Sequence, residues 1–294
     1  MWAFCQEMKM RRLDLILVAD EPFEIPLHEG YQLYSALLGL MKGSSPNVSQ
    51  RVHDSPISSF SLGGFKGPFQ QTDSANRKRV IPNQPYHLRI GITDPRDEEI
   101  LHHLAMPFIL GHRVLSLDQG DFNVVHIEDQ SVSIDDWVHQ NRNYTRPLLE
   151  FNFETVTCIQ YRNSTVTEMY PNRIAVFNSI LSKWNRVFPN ENRLDASRDD
   201  FGRYLVERPN FFNLATYSVL TNTVTDQKKR LNKPIFKQGF VGPCRYSFTT
   251  NTPEWFRTTI LLLSRFAEYS GVGSGVARGY GQVKVTVQGG ANEE

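Results

Sequence analysis

Glycines and histidines are the residues whose types and spacing first suggest chemistry in this chain of 294 residues. The segment Gly271–Gly281, GVGSGVARGYG, holds five glycines in eleven residues. Glycine adopts left-handed conformations and lets a backbone approach a ligand closely. The segment follows a predicted helix and precedes a predicted strand, whereas phosphate loops of the Rossmann and Walker types run from strand to helix. The pattern therefore argues against those nucleotide-binding loops and leaves either an ordinary surface loop or a site for another ligand.

Two histidines are candidates for acid–base chemistry, because the ordinary pKa of histidine lies near neutrality. His53 precedes Asp54, and His28 stands at the beginning of a predicted helix. Each also has a plain structural interpretation, His53 as a surface residue and His28 as a residue packed near Tyr31. The other histidines lack the HExxH pattern and the carboxylate spacing of a metal site, so no metal or other cofactor is predicted. Those considered as metal ligands are His102, His103 and His112.

The composition is that of an ordinary soluble protein, with 40% hydrophobic and 21% charged residues. Lys and Arg number 32 against 31 acids, giving a net charge of +1, so a wholly basic nucleic-acid coat protein is not expected. The three cysteines are widely separated and form no CxxC pair, which is typical of a reducing compartment. With neither a membrane span nor a signal peptide in the sequence, we expect a cytoplasmic protein.

Helices and strands must position the candidate residues. Hydrophobic periodicity predicts these elements, and their order in the first half of the chain recurs in the second. The first half predicts strand, helix, strand, strand, helix, strand, with a polar loop between the second and third of the strands. These elements are Arg11–Ala19, Pro26–Met41, Ile57–Phe65, Tyr86–Thr93, a helix starting at Asp94-Pro95, and strand structure within His112–Ile127.

The second half predicts the same order of elements without residue-level repetition. Its elements are Leu148–Ile159, Pro171–Phe188, Tyr217–Val224, Phe240–Thr249, a helix from Thr252-Pro253 to about Tyr269, and Gln282–Val287. A βαββαβ order is that of the ferredoxin-like fold. We therefore predict an α+β protein with two tandem ferredoxin-like (RRM-like) domains, residues 1–130 and 147–294, joined by a linker at 131–146.

Three segments resemble the CRISPR-associated "Cas six" endoribonucleases of the RAMP superfamily. Phe266–Val285, FAEYSGVGSGVARGYGQVKV, resembles the C-terminal glycine-rich signature of that family, and Ala175–Asn185 resembles a helix of its second domain. Leu27–Leu40, followed by Pro46 and by Arg51–Asp54, resembles its first helix and catalytic-histidine turn. The resemblance implies tandem ferredoxin-like domains in a prokaryotic cytoplasmic enzyme. That enzyme would mature guide RNA by cutting CRISPR precursor RNA within its repeats.

The resemblance also implies a metal-independent reaction in which the RNA 2′-hydroxyl attacks the adjacent phosphate, giving a 2′,3′-cyclic phosphate and a 5′-hydroxyl. It makes His53 the general base or acid and His28 a second acid–base group. Tyr34, or Tyr31, would donate a hydrogen bond, although helical spacing also fits both tyrosines to the core. The lysine that some relatives carry just after the histidine is missing here. The cations near enough in sequence to replace it are Lys42, Arg51 and Lys66.

Basic residues are concentrated in two segments, which predicts where RNA phosphates bind. Phe65–Ile90 holds five basic residues against one acid, and Thr221–Thr250 holds six against one, whereas Asp118–Asp136 holds six acids and no Lys or Arg. By resemblance, the connection at residues 228–237 grips a repeat stem, and the glycine segment contacts RNA. The predicted RNA-binding residues are Lys42, Arg51, Lys66, Arg77, Lys78, Arg79, Lys228, Lys229, Arg230, Lys233, Lys237, Gly271, Gly273, Gly275, Arg278, Gly279 and Gly281.

Two other functions fit the same residues. A catalytically inactive RNA-binding subunit of a CRISPR surveillance complex would share the fold and lack the activity, and the missing lysine is compatible with it. The chain could instead be an unrelated ferredoxin-like metabolic or ligand-binding protein. In that case the likeness of its glycine segment to the family signature would be accidental. The expected partners are thus CRISPR repeat or guide RNA, and other effector-complex subunits if the protein works within a complex.

Overall fold

The structure is a computed structural model that describes residues 9–54, 60–92, 98–109, 114–141, 144, 147–161, 164, 166–188, 192–226 and 231–289. Within these ranges, every helix is too short or too polar to cross a membrane. The beginning of the predicted helix at Asp94-Pro95 and the predicted strand residues 57–59 lie outside the described residues.

The first half of the chain forms a five-stranded antiparallel sheet with helices packed on it. The strands of this sheet follow the order β3-β6-β1-β8-β7, whose first four members have the strand order of a ferredoxin-like fold. The elements are β1 (Lys9–Val18), β2 (Glu24–Pro26), α1 (Gly30–Ser44), α2 (Pro46–Asp54), β3 (Phe60–Leu62), β4 (Phe69–Gln71), β5 (Arg77–Val80), β6 (Pro85–Ile92), α3 (Glu98–Ile109), β7 (Val114–Leu117), β8 (Gly120–Ser133) and α4 (Ile134–Asn141).

The second half repeats this arrangement with the strand order β10-β12-β9-β13. Its core is aromatic, with Phe151, Phe177 and Tyr246 in mutual edge-to-face contact at ring separations of 5.1–5.6 Å. The elements are β9 (Leu148–Thr157), α5 (Arg173–Val187), α6 (Arg198–Tyr204), β10 (Leu205–Pro209), β11 (Ala215–Asp226), β12 (Leu231–Phe248), α7 (Glu254–Ser270) and β13 (Val283–Gln288). The α+β fold with two ferredoxin-like units is therefore confirmed.

Helix starts follow local hydrogen-bond chemistry where a suitable side chain precedes the helix. The Asn172 side chain accepts hydrogen bonds from the backbone amides of Ile174 and Ala175 and so caps α5. Ser197 and Asp200 form a reciprocal capping box at the start of α6. Among the described residues, no side chain caps α7 in this way: the hydroxyl of Thr252, which precedes the helix, instead donates to the carbonyls of Thr249 and Tyr204.

The first helix begins four residues later than predicted. Pro26 pairs with Arg77 in a small sheet, and Leu27, which the periodicity assigned to the apolar face, is exposed. His28 consequently precedes α1. His53, expected in a turn after the first helix, lies in the last turn of the separate helix α2.

The other incorrect predictions from the sequence concern short or exposed strands. The predicted polar loop before β6 contains β4 and β5, which form a three-stranded sheet with β2. The second ferredoxin-like unit takes its second strand from the unpredicted β10, which pairs with the last residues of β12. The predicted strand Tyr217–Val224 instead belongs to β11, which pairs with the first eleven residues of β12 as a long hairpin arm.

The helix α4 occupies the predicted linker and packs with the second half of the chain. Ile134, Trp137 and Val138 join the core formed by β9, α5 and α7, together with Met10 from β1. The division at residues 130 and 147 stays a prediction.

The junction between the two halves depends on close backbone contacts with the C-terminal end of α7 and the glycine segment. The Ser61 hydroxyl donates to the Tyr269 carbonyl at 2.6 Å. A Cβ at Gly91 would lie 2.2 Å from that carbonyl oxygen, and a Cβ at Gly30 would lie 2.0 Å from the carbonyl oxygen of Arg278. The first turn of α1 therefore accepts the glycine segment only because residue 30 has no side chain.

Replacement of Gly30 by alanine should test this contact. The added methyl group must displace the Arg278 carbonyl, and overpacking of this kind costs about 1–3 kcal/mol. We expect Gly30→Ala to lower the free energy of unfolding in urea. The matched control is Gly39→Ala in the same helix, where nothing lies within 4 Å, and alanine should raise stability by up to about 1 kcal/mol. Equal stabilities of the two variants would contradict the close contact.

Candidate functional site

The glycine segment (Gly271–Gly281) is a loop that contains a short 3-10 helix, Val276–Arg278. We call this segment the glycine loop. Gly275 and Gly279 flank that helix with φ values of 74° and 80°, which side chains disfavour. Backbone hydrogen bonds tie the loop to the end of β9: the amide of Ser274 donates to the Cys158 carbonyl at 2.8 Å, and that of Gly281 to the Val156 carbonyl at 3.0 Å. This geometry gives the loop a fixed shape.

Arg278 links the glycine loop to the first turns of α1. Its guanidinium lies over the rings of Tyr31 and Tyr34, 5.3 and 5.1 Å from their centroids. Tyr34 is buried, as its helical spacing indicated, and Tyr31 is partly buried. The structure thus brings Arg278 to two residues that precede it in the sequence by more than 240 positions. Two phenol groups and one cation, all potential ligands of a phosphate, meet at this point.

Lys237 on β12 adds a second cation to the glycine loop. Its Nζ lies 3.2 Å from the Ser274 hydroxyl and 5.4 Å from the centroid of the Tyr280 ring. Burial lowers the pKa of Lys237, and the charge of Arg278 lowers it further, while Cys158 opposes this shift. Lys237, which the sequence assigned to the connection at residues 228–237, thus lies against the glycine loop.

His28 and Glu29 lie immediately before α1, next to the glycine loop's contact at Gly30. His28 is exposed, but partial desolvation lowers its pKa; the charge of Glu29 raises that pKa and the charge of Lys78 lowers it. Glu29 is almost fully buried, and its carboxylate accepts the Phe65 amide at 2.7 Å and pairs with the Lys78 Nζ at 2.9 Å. This buried ion pair between Glu29 and Lys78 fixes the backbone just before α1. Lys78 therefore has a role in stabilising the fold.

His53 is exposed in the last turn of α2, whose Val48 and Val52 pack into the core of the first half. Arg51, two residues earlier, forms a 2.8 Å ion pair with Glu99 on α3. The structure therefore places His53 on a different helix from Tyr34.

Several predicted RNA-binding cations are also paired inside the protein. Lys66 bonds to Glu154 at 2.6 Å, and Arg77 and Arg79 share the carboxylate of Glu24. Lys42 is exposed in the last turn of α1. Lys228, Lys229 and Arg230 lie outside the described residues, as does the side chain of Lys233.

Sequence reasoning missed Lys183 on α5. Its Nζ donates to the carbonyls of Ser270 and Gly271, at 3.1 and 2.8 Å, where α7 ends and the glycine loop begins. Burial lowers the pKa of this ammonium to about 7. The only sequence signal is position: Lys183 follows Val176 by seven and Ile180 by three residues, so it belongs to the apolar face of α5.

Metal-ligand clusters of three or more His, Cys, Asp or Glu side chains do not occur in the described part of the chain. His102 and His103 stack edge to face on α3, and the His103 Nδ1 lies 3.0 Å from the Ser44 hydroxyl. His112 lies outside the described residues.

Comparison with known proteins finds one family model that matches the second half of the chain and solved structures that share its fold. Residues 151–283 match the family model of the CRISPR-associated endoribonuclease Cas6. No curated protein sequence matches the chain.

Solved structures extend the likeness beyond the segment that the family model matches. A Cas6 product complex matches with a TM-score of 0.65 and 18% identity, over 96% of this chain and 100% of the other. Thermus thermophilus Cas6 matches with a TM-score of 0.62 and 18% identity, over 96% of this chain and 100% of the other. A structure described as a RAMP protein binding different RNA substrates matches with a TM-score of 0.61 and 14% identity, over 94% of this chain and 99% of the other. The expected resemblance to Cas6 is confirmed, by the family model over the second half and by the fold over nearly the whole chain.

Lys183 predicts a specific pH dependence of stability. Because its pKa is about 7 in the folded protein and about 10.4 in an unfolded chain, the unfolded chain binds more protons between these values. Stability should therefore rise with pH over that window, by as much as about 2 kcal/mol between pH 7 and pH 9 from this group. We expect Lys183→Met to lose this rise in urea unfolding. The exposed Lys42→Met should retain it, and parallel pH dependences for wild type and Lys183→Met would contradict the assignment.

Proposed function

We propose that the protein is a metal-independent endoribonuclease that cleaves CRISPR precursor RNA within its repeats to release guide RNA. The observation that supports this most strongly is the meeting of Arg278 with Tyr31 and Tyr34 at the contact between the glycine loop and Gly30 of α1, two residues after His28. That contact combines potential phosphate ligands from both halves of a chain whose fold is that of Cas6 structures.

The reaction requires an in-line attack of the 2′-hydroxyl oxygen on the adjacent phosphorus. One group removes the 2′ proton, a second donates a proton to the departing 5′-oxygen, and cations stabilise the negative charge that develops on the phosphate. We assign the two proton transfers to His53 and His28 and the stabilising hydrogen bond to Tyr34. Arg278, with Lys237 near it, is the best-placed cation to replace the lysine that some relatives carry.

The lowered pKa of His28 favours it as the base, because its imidazole is then neutral near pH 7 and able to accept a proton. His53 is then the acid. The RNA-binding residues predicted from the sequence remain part of this proposal. Among them, the cations on the β11–β12 hairpin and the glycine loop are those that relatives would use along the RNA backbone.

A single-turnover cleavage assay in EDTA tests the proposed function. The substrate is the CRISPR repeat RNA of the same genome, and the control carries a 2′-deoxy nucleotide at the cut site. We expect cleavage of the natural RNA alone, with a 2′,3′-cyclic phosphate on the product. Tight binding of both RNAs without cleavage would overturn the proposed nuclease activity. It would favour the alternative of a catalytically inactive RNA-binding subunit.

Substitution of the two histidines tests their roles. His53→Ala and His28→Ala should each slow single-turnover cleavage by roughly 10²–10⁴-fold and leave RNA affinity within a few-fold. His139→Ala, on the exposed face of α4, is the control and should cleave at the wild-type rate. An unchanged rate for either active-site variant would remove that histidine from the mechanism.

A substrate with sulfur in place of the bridging 5′-oxygen separates acid from base, because a thiolate leaves without protonation. Such a substrate should restore the rate of His53→Ala and leave His28→Ala slow. Rescue of His28→Ala instead would exchange the two assignments.

A further inference from the structure

A polar cavity of about 600 Å³ lies on the second half of the chain, beside the glycine loop. Its walls come from the residues that follow β9, from α5, from the start of α6 and from the glycine loop. The volume is enough for one nucleotide, and the lining is more polar than that of an ordinary apolar ligand pocket.

Charge in this cavity is predominantly positive. Arg186 on α5 and Arg198 at the start of α6 are exposed at its rim, and Lys183 lies in its wall. Among the described residues that line the cavity, Glu168 is the one acid. Two exposed guanidiniums on neighbouring helices suit the two phosphates that flank a nucleotide.

The cavity also offers an aromatic surface. Tyr161 is 53% exposed, and the Arg198 guanidinium lies 5.7 Å from its ring centroid. An exposed tyrosine beside an arginine is a stacking surface for an unpaired base. Asn178 and Ser182 on α5 add hydrogen-bonding groups to the same wall.

The glycine loop connects this cavity to the proposed catalytic site. Gly273 and Ser274 line the cavity, and the Gly273 amide donates to the Ser179 hydroxyl of α5 at 3.0 Å. Arg278, which contacts Tyr31 and Tyr34, is only four residues further along. Four residues span at most about 14 Å even when fully extended. An RNA strand bound at Arg278 could therefore reach the cavity within a few nucleotides.

We infer that this cavity binds one unpaired nucleotide of the substrate RNA close to the cut, with its base on Tyr161 and its phosphates at Arg186 and Arg198. The inference rests on the proposed function, because it takes RNA as the ligand. It adds a base-stacking subsite that lies on helices of the second half rather than on the glycine loop itself.

The first test measures RNA affinity as a function of salt with uncleavable 2′-deoxy repeat RNA. Arg186→Ala/Arg198→Ala should weaken binding about tenfold and reduce the slope of log Kd against log salt by roughly 1.4, or 0.7 for each lost contact to a single strand. Arg203→Ala is the matched control, since Arg203 lies on α6 but pairs with Asp199, and it should bind as wild type does. An unchanged slope in the double variant would overturn the inference.

The second test locates the stacked base. Single abasic nucleotides are placed in turn on each side of the cut, and one position should weaken wild-type binding by roughly 5- to 150-fold. The Tyr161→Ala variant should bind intact RNA with a similar loss and be insensitive to that abasic position. If wild type binds RNA but the abasic effect persists in Tyr161→Ala, the nucleotide subsite is wrong while the proposed function stands. If wild type binds no repeat RNA, the proposed function itself fails.

Discussion

The contact between the carbonyl of Arg278 and the Cα of Gly30 is the constraint on which the candidate site depends. Backbone meets backbone there, so the glycine loop can bring Arg278 over Tyr31 and Tyr34 only while residue 30 has no Cβ. The other anchors serve the same contact. Lys183 fixes the start of the loop, and the pair of Glu29 and Lys78 fixes the chain that enters α1.

Electrostatics within the fold divide the basic residues into two groups. Some are neutralised by internal partners, as Lys78 is by Glu29 and Lys66 by Glu154, and these pairs stabilise local structure. Others, such as Arg278 and Arg198, face aromatic rings rather than carboxylates. A guanidinium on an aromatic face keeps its full charge for an incoming phosphate, so this second group is the better set of candidates for RNA contacts.

The sequence predicted the elements whose cores are strongly periodic. The strand β1, the helix α5 and the helix α7 lie close to their predicted bounds, because the apolar residues of each face a hydrophobic core. The short strands β4, β5 and β10 carry mostly polar or half-buried residues, so no periodic signal marks them. The extent of the β11–β12 hairpin was equally hidden, because the pairing of the two strands continues to Asp226 and Leu231, beyond the predicted strands.

The candidate site was predictable only in part, for a related reason. Glycine spacing and the histidines indicated which residues to consider, but the partners of Arg278 depend on how two halves of the chain pack, which local sequence does not encode. The same holds for Lys183, whose two carbonyl acceptors lie nearly ninety residues away. Ion pairs such as Lys78 with Glu29 were invisible because the residues lie on separate strands and turns.

The measurement that tests the central claim most directly is a zero-length photocrosslink from RNA that carries 4-thiouridine next to an uncleavable cut site. If the two halves build one site, peptide mapping should recover crosslinks both to residues 27–34 around the start of α1 and to the glycine loop at 271–281. Crosslinks to only one of these segments, or to neither, would contradict a site shared between the two halves.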